Sequence, residues 1–84
     1  MTLTMDGKHR YNTKLSNRET QTLRLLSSGL DNLSIGTKMF IGTTTVERHI
    51  QSIYDKLDIP DGMSKRVWCA LYYLSGTLEL FAID

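Results

Sequence analysis

The chain has 84 residues, of which 40% are hydrophobic and 23% are charged, and it contains one proline. This composition predicts one small globular domain and argues against a disordered chain. Ten basic and nine acidic side chains give a net charge of only +1, so a nucleic-acid-binding function would depend on where the charges lie.

Several functional classes find no support in the sequence. The single cysteine, Cys69, excludes an internal disulfide and a multi-thiolate zinc site, and it favours a reducing compartment. Neither a membrane-spanning apolar run nor a signal-peptide pattern is present. There is no phosphate-binding glycine loop, no nucleophile motif and no histidine beyond His9 and His49. We therefore expect a cytoplasmic protein that is not an enzyme, with no metal, cofactor, small-molecule ligand or membrane partner.

The first 14 residues lack sustained periodicity and are expected to form a flexible leader before one domain over 15–84. Basic residues surround a single acidic one, Asp6, so a basic arm along a phosphate backbone is the alternative. The basic residues are Lys8, His9, Arg10 and Lys14.

Two short helices are predicted next. Ser16 and Glu19 form a capping-box pattern for a helix from Asn17 to Ser28, and Gly29 follows where a left-handed cap is expected. Its inward side would carry Leu23, Leu25 and Leu26. Asp31 can cap a second helix from Asn32 to about Phe40, with Leu33, Ile35, Met39 and Phe40 buried. Gly36 in its middle predicts a close approach to a neighbouring helix.

The stretch Thr43–Leu57 has the clearest helical periodicity. Val46, Ile50, Ile53 and Leu57 form a narrow aliphatic stripe, which must be buried. The opposite face carries the polar side chains Thr44, Arg48, Gln51 and Asp55, with Glu47 and Tyr54 beside them. Because Ile41-Gly42 leaves only a tight turn before this helix, the pair predicts a helix-turn-helix.

A fourth helix is predicted from about Ser64 to Ser75, ending at Gly76. Met63, Val67, Ala70, Leu71 and Leu74 are expected to complete the core. The remaining apolar side chains would then form a dimer interface: Trp68, Cys69, Tyr72 and Tyr73. The alternative is that the aromatic residues cover the core against the tail residues Leu78, Leu80, Phe81 and Ile83.

Several spaced motifs in this order resemble the LuxR/GerE-type DNA-binding domain. They are Leu15-Ser16-x-Arg18-Glu19, Leu23-x-Leu25-Leu26-x-x-Gly29-Leu30, Asn32-x-x-Ile35 and Thr45-Val46-x-x-His49-Ile50-x-x-Ile53-x-x-Lys56-Leu57. The resemblance implies an all-α, four-helix transcription factor of a bacterium or phage. Its third helix would enter the major groove and its fourth would pair two subunits. Without a sensor domain in the sequence, the stand-alone form is expected.

The chain departs from the family pattern at a few positions. Gly42 stands where Ser or Thr usually opens the recognition helix, so the cap would be missing or come from a threonine of that helix. Leu33-Ser34 replaces the usual Lys-Glu pair, which removes one expected phosphate contact.

The resemblance implies that Glu47, Arg48 and Gln51 read bases. Arg48 matches guanine O6 and N7, Gln51 matches adenine N6 and N7, and Glu47 can accept from cytosine N4. An ordinary solvated face, with Arg48 paired to Glu47 or Asp55, is the alternative. The expected backbone contacts are Thr43, Thr44 and Thr45 at the helix N-terminus, together with Lys38, Tyr54 and Lys56, and less specifically Lys65 and Arg66.

The expected partners are duplex DNA and a second copy of the chain, with RNA polymerase or another LuxR-type regulator as further candidates. A different class of function remains open, because the near-neutral charge, Leu33 and Asp55 do not favour DNA binding. In that alternative the chain pairs with a related regulator and blocks it without binding DNA.

Overall fold

The computed structural model describes residues 15–82, with side chains to residue 76, as four α-helices and no strand within that range. They are α1 (Asn17–Ser27), α2 (Asn32–Met39), α3 (Thr43–Leu57) and α4 (Lys65–Ala82). The expected all-α fold is confirmed. The proposed leader and Ile83 lie outside the described residues. Across residues 15–82, every helix falls short of the length and apolarity that a bilayer crossing requires.

The predicted start of α1 is confirmed by hydrogen bonds, and its end at Ser27 lies one residue before the predicted Ser28. The Ser16 hydroxyl accepts from the backbone N–H of Glu19 at 3.1 Å, and the backbone N–H of Ser16 donates to the Glu19 carboxylate at 3.0 Å. At the other end Gly29 has φ +93°, a left-handed conformation that only glycine adopts at no steric cost. Local sequence signals therefore determine where this helix begins and ends.

The start of α2 is also as predicted, since the Asp31 carboxylate accepts from the backbone N–H of Ser34 at 2.8 Å. Burial of Ile35 and Met39 is confirmed, but burial of Leu33 and Phe40 is wrong: they are 69% and 94% exposed. Leu33 precedes Ile35 by two residues, about 200° around the helix, so both cannot face the core. Phe40 lies beyond α2 with φ 60°, where the chain leaves the helical path.

The aliphatic stripe of α3 is buried as predicted. Val46 and Ile53 are fully buried, and Ile50 and Leu57 are nearly so. They form one cluster with apolar side chains of the other helices: Leu15, Leu23, Leu25, Leu26, Ile35, Met39 and Cys69. Because α3 contributes only this narrow stripe, its opposite face remains outside the core.

The fourth helix begins near Ser64 as predicted but does not end at Gly76. The Ser64 hydroxyl accepts from the backbone N–H of Val67 at 3.4 Å, and the helix continues to Ala82. A glycine inside a helix costs only about 1 kcal/mol relative to alanine. The residues from Thr77 to Ala82 contain no proline, so nothing in the backbone forces the helix to stop at Gly76.

The predicted buried face of α4 is wrong. Cys69 is fully buried, and Trp68, Tyr72 and Tyr73 pack against the core. These four residues therefore do not form the apolar surface outside the core that the sequence predicted. Trp68 and Tyr72 stack with their ring centroids 5.2 Å apart. Instead the exposed apolar residues are Met63, Val67, Leu71 and Leu74, whereas Ala70 is half-buried and contacts the core.

The physical reason is that α4 has two apolar stripes on opposite sides, and periodicity alone does not choose between them. Aromatic side chains remove more area from water than aliphatic ones, so the aromatic side gains more by facing the core. This agrees with the alternative in which the aromatic residues cover the core. Any contact with Leu78, Leu80, Phe81 or Ile83 lies outside the described side chains.

Gly36 allows the close approach on which the helix-turn-helix depends. A Cβ built at this position would lie 2.7 Å from the carbonyl oxygen of Ile41 and 3.4 Å from Cγ2 of Val46. The predicted close contact is confirmed, although its tightest part is with the turn backbone and not with the facing helix. The same turn is closed by a 2.9 Å hydrogen bond from the N–H of Ile41 to the carbonyl of Gly36.

We therefore expect Gly36→Ala to lower the free energy of unfolding by about 1–3 kcal/mol, although alanine is the better helix former. The reason is that backbone atoms cannot move aside as a flexible side chain can. Gly42→Ala is the control, because a Cβ there meets nothing within 4 Å, and we expect a change within about 0.5 kcal/mol. Urea unfolding of both variants measures this, and equal stabilities would contradict the prediction.

Candidate nucleic-acid interface

The outer face of α3 is polar and open to solvent. Thr44, Glu47, Arg48, Gln51 and Asp55 are all exposed, on the side opposite the buried aliphatic stripe. The structure thus brings the three predicted base-reading residues, Glu47, Arg48 and Gln51, onto one surface within two turns of helix. Such a row of donors and acceptors has the length and chemistry to contact base edges in a major groove.

Arg48 is not held by the protein. Within residues 15–82, no hydrogen bond or ion pair engages its guanidinium group, so the pairing with Glu47 or Asp55 considered from the sequence does not occur there. Instead the side-chain amide of Gln51 donates to the Asp55 carboxylate, with Nε2 and Oδ1 3.2 Å apart. The five donors of Arg48 therefore remain open to a ligand.

The N-terminus of α3 lacks a side-chain cap. Gly42 is the N-cap residue and there is no side-chain cap hydrogen bond, so of the two alternatives that the sequence left open, the missing cap is the one observed. Thr44 is exposed, and Thr43 and Thr45 are half-buried. The first backbone N–H groups of α3 and the positive end of its dipole thus lack a side-chain acceptor and suit an anionic group such as a phosphate.

A carboxylate of α1 fixes the far end of α3. Glu19 is 7% exposed and accepts from Ser52 Oγ at 2.6 Å and from Lys56 Nζ at 2.8 Å, in addition to the N–H of Ser16. The capping box accounted for Glu19 from the sequence, but its bonds to α3 were missed. Their only signal was that Ser52 and Lys56 lie one turn apart on the same side of α3.

These bonds also set the charge of Glu19. Burial alone would raise the pKa of its carboxyl group, but the hydrogen bonds from Lys56, Ser52 and Ser16 and the charge of Lys56 outweigh it and lower the pKa to about 2. Glu19 is therefore ionised at neutral pH. Lys56, predicted to contact the DNA backbone, is already engaged in the fold.

The other predicted backbone contacts are dispersed. Lys38 is exposed and lines a cleft between α1 and α2 with Gln21, Arg24 and Leu25, to which α3 does not contribute. Tyr54 is half-buried on α3, with the ammonium group of Lys65 5.8 Å from its ring centroid. Burial raises the pKa of the Tyr54 phenol above its ordinary value.

Arg66 is committed to the fold. Its guanidinium group donates to Asn32 Oδ1 at 3.0 Å and to the carbonyl of Leu30 at 2.8 Å, which ties the start of α4 to the segment between α1 and α2. His49 is half-buried on α3, and among the described residues no three metal-ligating side chains gather around it or elsewhere.

Comparison with known proteins agrees with this architecture. The family model GerE, "Bacterial regulatory proteins, luxR family", matches residues 13–65, which is more than half of the chain. The chain belongs to this family. The expected family and its helix-turn-helix fold are thus confirmed, and the match includes all of α1, α2 and α3.

The chain is also similar to parts of individual bacterial proteins, one of which is named as a transcriptional regulatory protein. The Fimbriae Z protein of Escherichia coli K12 is 40% identical over 62 residues, which is 74% of this chain and 30% of that protein. The transcriptional regulatory protein LiaR of Bacillus subtilis is 39% identical over 54 residues, 64% of this chain and 26% of that protein. The chain thus spans less than a third of either relative. No solved structure matched it significantly.

The pKa of Glu19 generates a prediction for stability in acid. Because the folded pKa of about 2 lies below the ordinary value of 4.5, the stabilisation is present above about pH 4.5 and is lost as pH falls towards 2. We expect Glu19→Gln to cost roughly 1–2 kcal/mol at pH 7, a figure discounted because Lys56 is 39% exposed to solvent.

At pH 2.5 the difference between Glu19→Gln and the unmodified protein should be much smaller than at pH 7, because this pH lies far below the ordinary pKa of 4.5 and close to the folded pKa, so most of the stabilisation from the ionised carboxylate is lost. Urea unfolding at the two pH values measures it. Glu47→Gln is the matched control, since Glu47 is an exposed carboxylate for which no described contact exists, and it should change stability little at either pH. A cost for Glu19→Gln that is the same at pH 7 and pH 2.5 would contradict the assignment.

Proposed function

We propose that this luxR-family chain is a sequence-specific DNA-binding transcriptional regulator that inserts α3 into the major groove. The observation that carries the proposal is the polar face of α3, at whose centre the Arg48 guanidinium is exposed and unpaired within the described residues. The rest of the domain buries the other face of α3 and leaves this one available.

The three outward residues have complementary chemistries. Arg48 has paired donors that fit guanine O6 and N7, Gln51 has one donor and one acceptor that fit adenine, and Glu47 accepts from cytosine N4. The uncapped N-terminus of α3, with Thr43, Thr44 and Thr45, offers donors to a phosphate. Tyr54 lies beside the polar face of α3 and adds a phenol hydroxyl to it. Lys56 is a weaker candidate for backbone contact, because binding a phosphate would compete with Glu19.

We further propose that two copies pair through α4, with a surface different from the predicted one. Val67, Leu71 and Leu74 are 55%, 57% and 44% exposed and lie on one side of α4 by helical spacing, and Met63, in the turn before the helix, is 47% exposed. An exposed apolar stripe of this kind is typical of a protein interface. A two-fold pair would place two copies of α3 on successive half-sites of a symmetric operator.

Binding-site selection from a random duplex library, with the purified folded protein at near-physiological salt, tests the proposal. Enrichment of a two-fold-symmetric motif is expected, with affinity that falls steeply as salt rises, because each neutralised phosphate adds about 0.9 to the slope. If no sequence is enriched, the proposal of sequence-specific DNA binding is overturned. Capture of a related regulator by the same sample would then favour the alternative of a blocking partner.

We expect Arg48→Ala to reduce discrimination between the selected site and a site changed at one guanine by about 5–150-fold, corresponding to about 1–3 kcal/mol. Arg24→Ala is the matched control, because Arg24 is an exposed arginine on α1 and should leave discrimination unchanged. Fluorescence anisotropy with both duplexes measures the ratio. Equal losses on matched and mismatched sites for Arg48→Ala would remove its base-reading role.

For the dimer, we expect Leu71→Glu to abolish cooperative binding to two half-sites and to leave binding to one half-site close to normal, because a charge would be placed in the apolar stripe. Leu33→Glu makes the same change at an exposed leucine of α2 and should have no such effect. Gel-shift titration on one-site and two-site duplexes distinguishes them. Retained cooperativity in Leu71→Glu would exclude this surface of α4.

A further inference from the structure

We propose that Asp55 is a specificity-determining residue: it holds the amide of Gln51 in the orientation that accepts adenine and rejects guanine. This inference rests on the proposed DNA-binding function and goes further, because it assigns a base choice to a residue that does not itself suit contact with DNA. Asp55 is exposed on the reading face, one turn beyond Gln51, and its negative charge is unsuited to a phosphate.

The hydrogen bond itself fixes the orientation. An ionised carboxylate only accepts hydrogen bonds, so the Gln51 group that lies 3.2 Å from Asp55 Oδ1 must be the NH₂ group and not the carbonyl. The Gln51 amide is therefore not free to flip. A pair of this type, four residues apart on a helix, also stabilises the helix slightly, so the arrangement exists before DNA arrives.

The orientation decides which base edge Gln51 matches. With one N–H directed to Asp55, the amide retains one N–H donor and its carbonyl acceptor. Adenine offers an N7 acceptor beside an N6 donor, so both remaining groups are satisfied. Guanine offers two acceptors, N7 and O6, and would need both N–H groups, one of which is occupied. Cytosine and thymine each satisfy only one group.

The charge of Asp55 acts in the same direction. The carboxylate lies next to the reading amide, where it repels the acceptor-rich edge of guanine and favours the amino group of adenine. A negative charge here also weakens attraction to every phosphate, so its presence lowers overall affinity and raises selectivity. Within the described residues Asp55 has no cationic partner that would neutralise this effect.

The test compares duplexes that carry adenine or guanine at the position that Gln51 reads, defined as the position at which Gln51→Ala loses its preference. We expect the unmodified protein to prefer adenine by at least 10-fold. Asp55→Asn and Asp55→Ala should reduce that preference about 5- to 10-fold and leave affinity for the adenine duplex equal or higher. In Gln51→Ala/Asp55→Ala the preference should be the same as in Gln51→Ala alone.

Asp61→Asn is the matched control, because it removes an equal charge from an exposed residue outside α3, and it should leave the ratio unchanged. In solution NMR without DNA, the resonances of the Gln51 side-chain amide should be shifted in Asp55→Ala and unchanged in Asp61→Asn.

The outcomes separate the two proposals. If the unmodified protein selects no sequence, the proposed function and this inference both fail. If it selects an operator and the adenine-to-guanine ratio is unchanged in Asp55→Asn and Asp55→Ala, only the role of Asp55 is overturned. A loss of affinity for both duplexes with an unchanged ratio would likewise reduce Asp55 to a structural residue.

Discussion

The two faces of α3 impose the constraint on which the rest of the domain depends. Val46, Ile50, Ile53 and Leu57 lie in the core, and removing them from water is favourable in proportion to their apolar area. Every other helix is placed so that this stripe is covered. Because the stripe is narrow, covering it leaves the side with Arg48 outside, so the same packing that stabilises the fold exposes the face that we propose reads DNA.

Two contacts, one near each end, fix the position of α3. Near the N-terminal end, Gly36 lets the turn backbone approach α2 to a distance that no side chain would permit. Near the C-terminal end, Glu19 joins the start of α1 to Ser52 and Lys56. A buried carboxylate is favourable only when its hydrogen bonds are satisfied, so this contact specifies one orientation of α3 relative to α1. The orientation of the exposed polar face of α3, the proposed reading face, is thereby fixed by contacts within the domain.

The fourth helix shows how a small domain divides its apolar residues between core and surface. Cys69 and the neighbouring aromatic residues complete the core, and burial raises the pKa of the Cys69 thiol to about 11, so the thiol remains protonated. Met63, Val67, Leu71 and Leu74 are left in solvent. The buried stripe and the exposed stripe of α4 are the reverse of those expected from the sequence, so the proposed dimer surface lies on the opposite side of α4.

Much of the fold and part of the candidate site follow from the sequence alone. Helical geometry determines which side chains contact each other when they lie within one or two turns. This applies to the capping signals at Ser16 and Asp31, the cap at Gly29 and the stripe of α3. The exposed positions of Glu47, Arg48 and Gln51 follow from the same periodicity. The family resemblance gave these residues their proposed role.

Only the tertiary structure decided the remaining features, because they depend on distances between residues far apart in the chain. Two apolar stripes on opposite sides of α4 left its buried face open in the sequence, and the structure shows that Cys69 and the aromatic side chains pack on the core. The bonds of Glu19 to Ser52 and Lys56 span more than thirty residues. Periodicity determines which side chains share a face, whereas packing determines what that face meets.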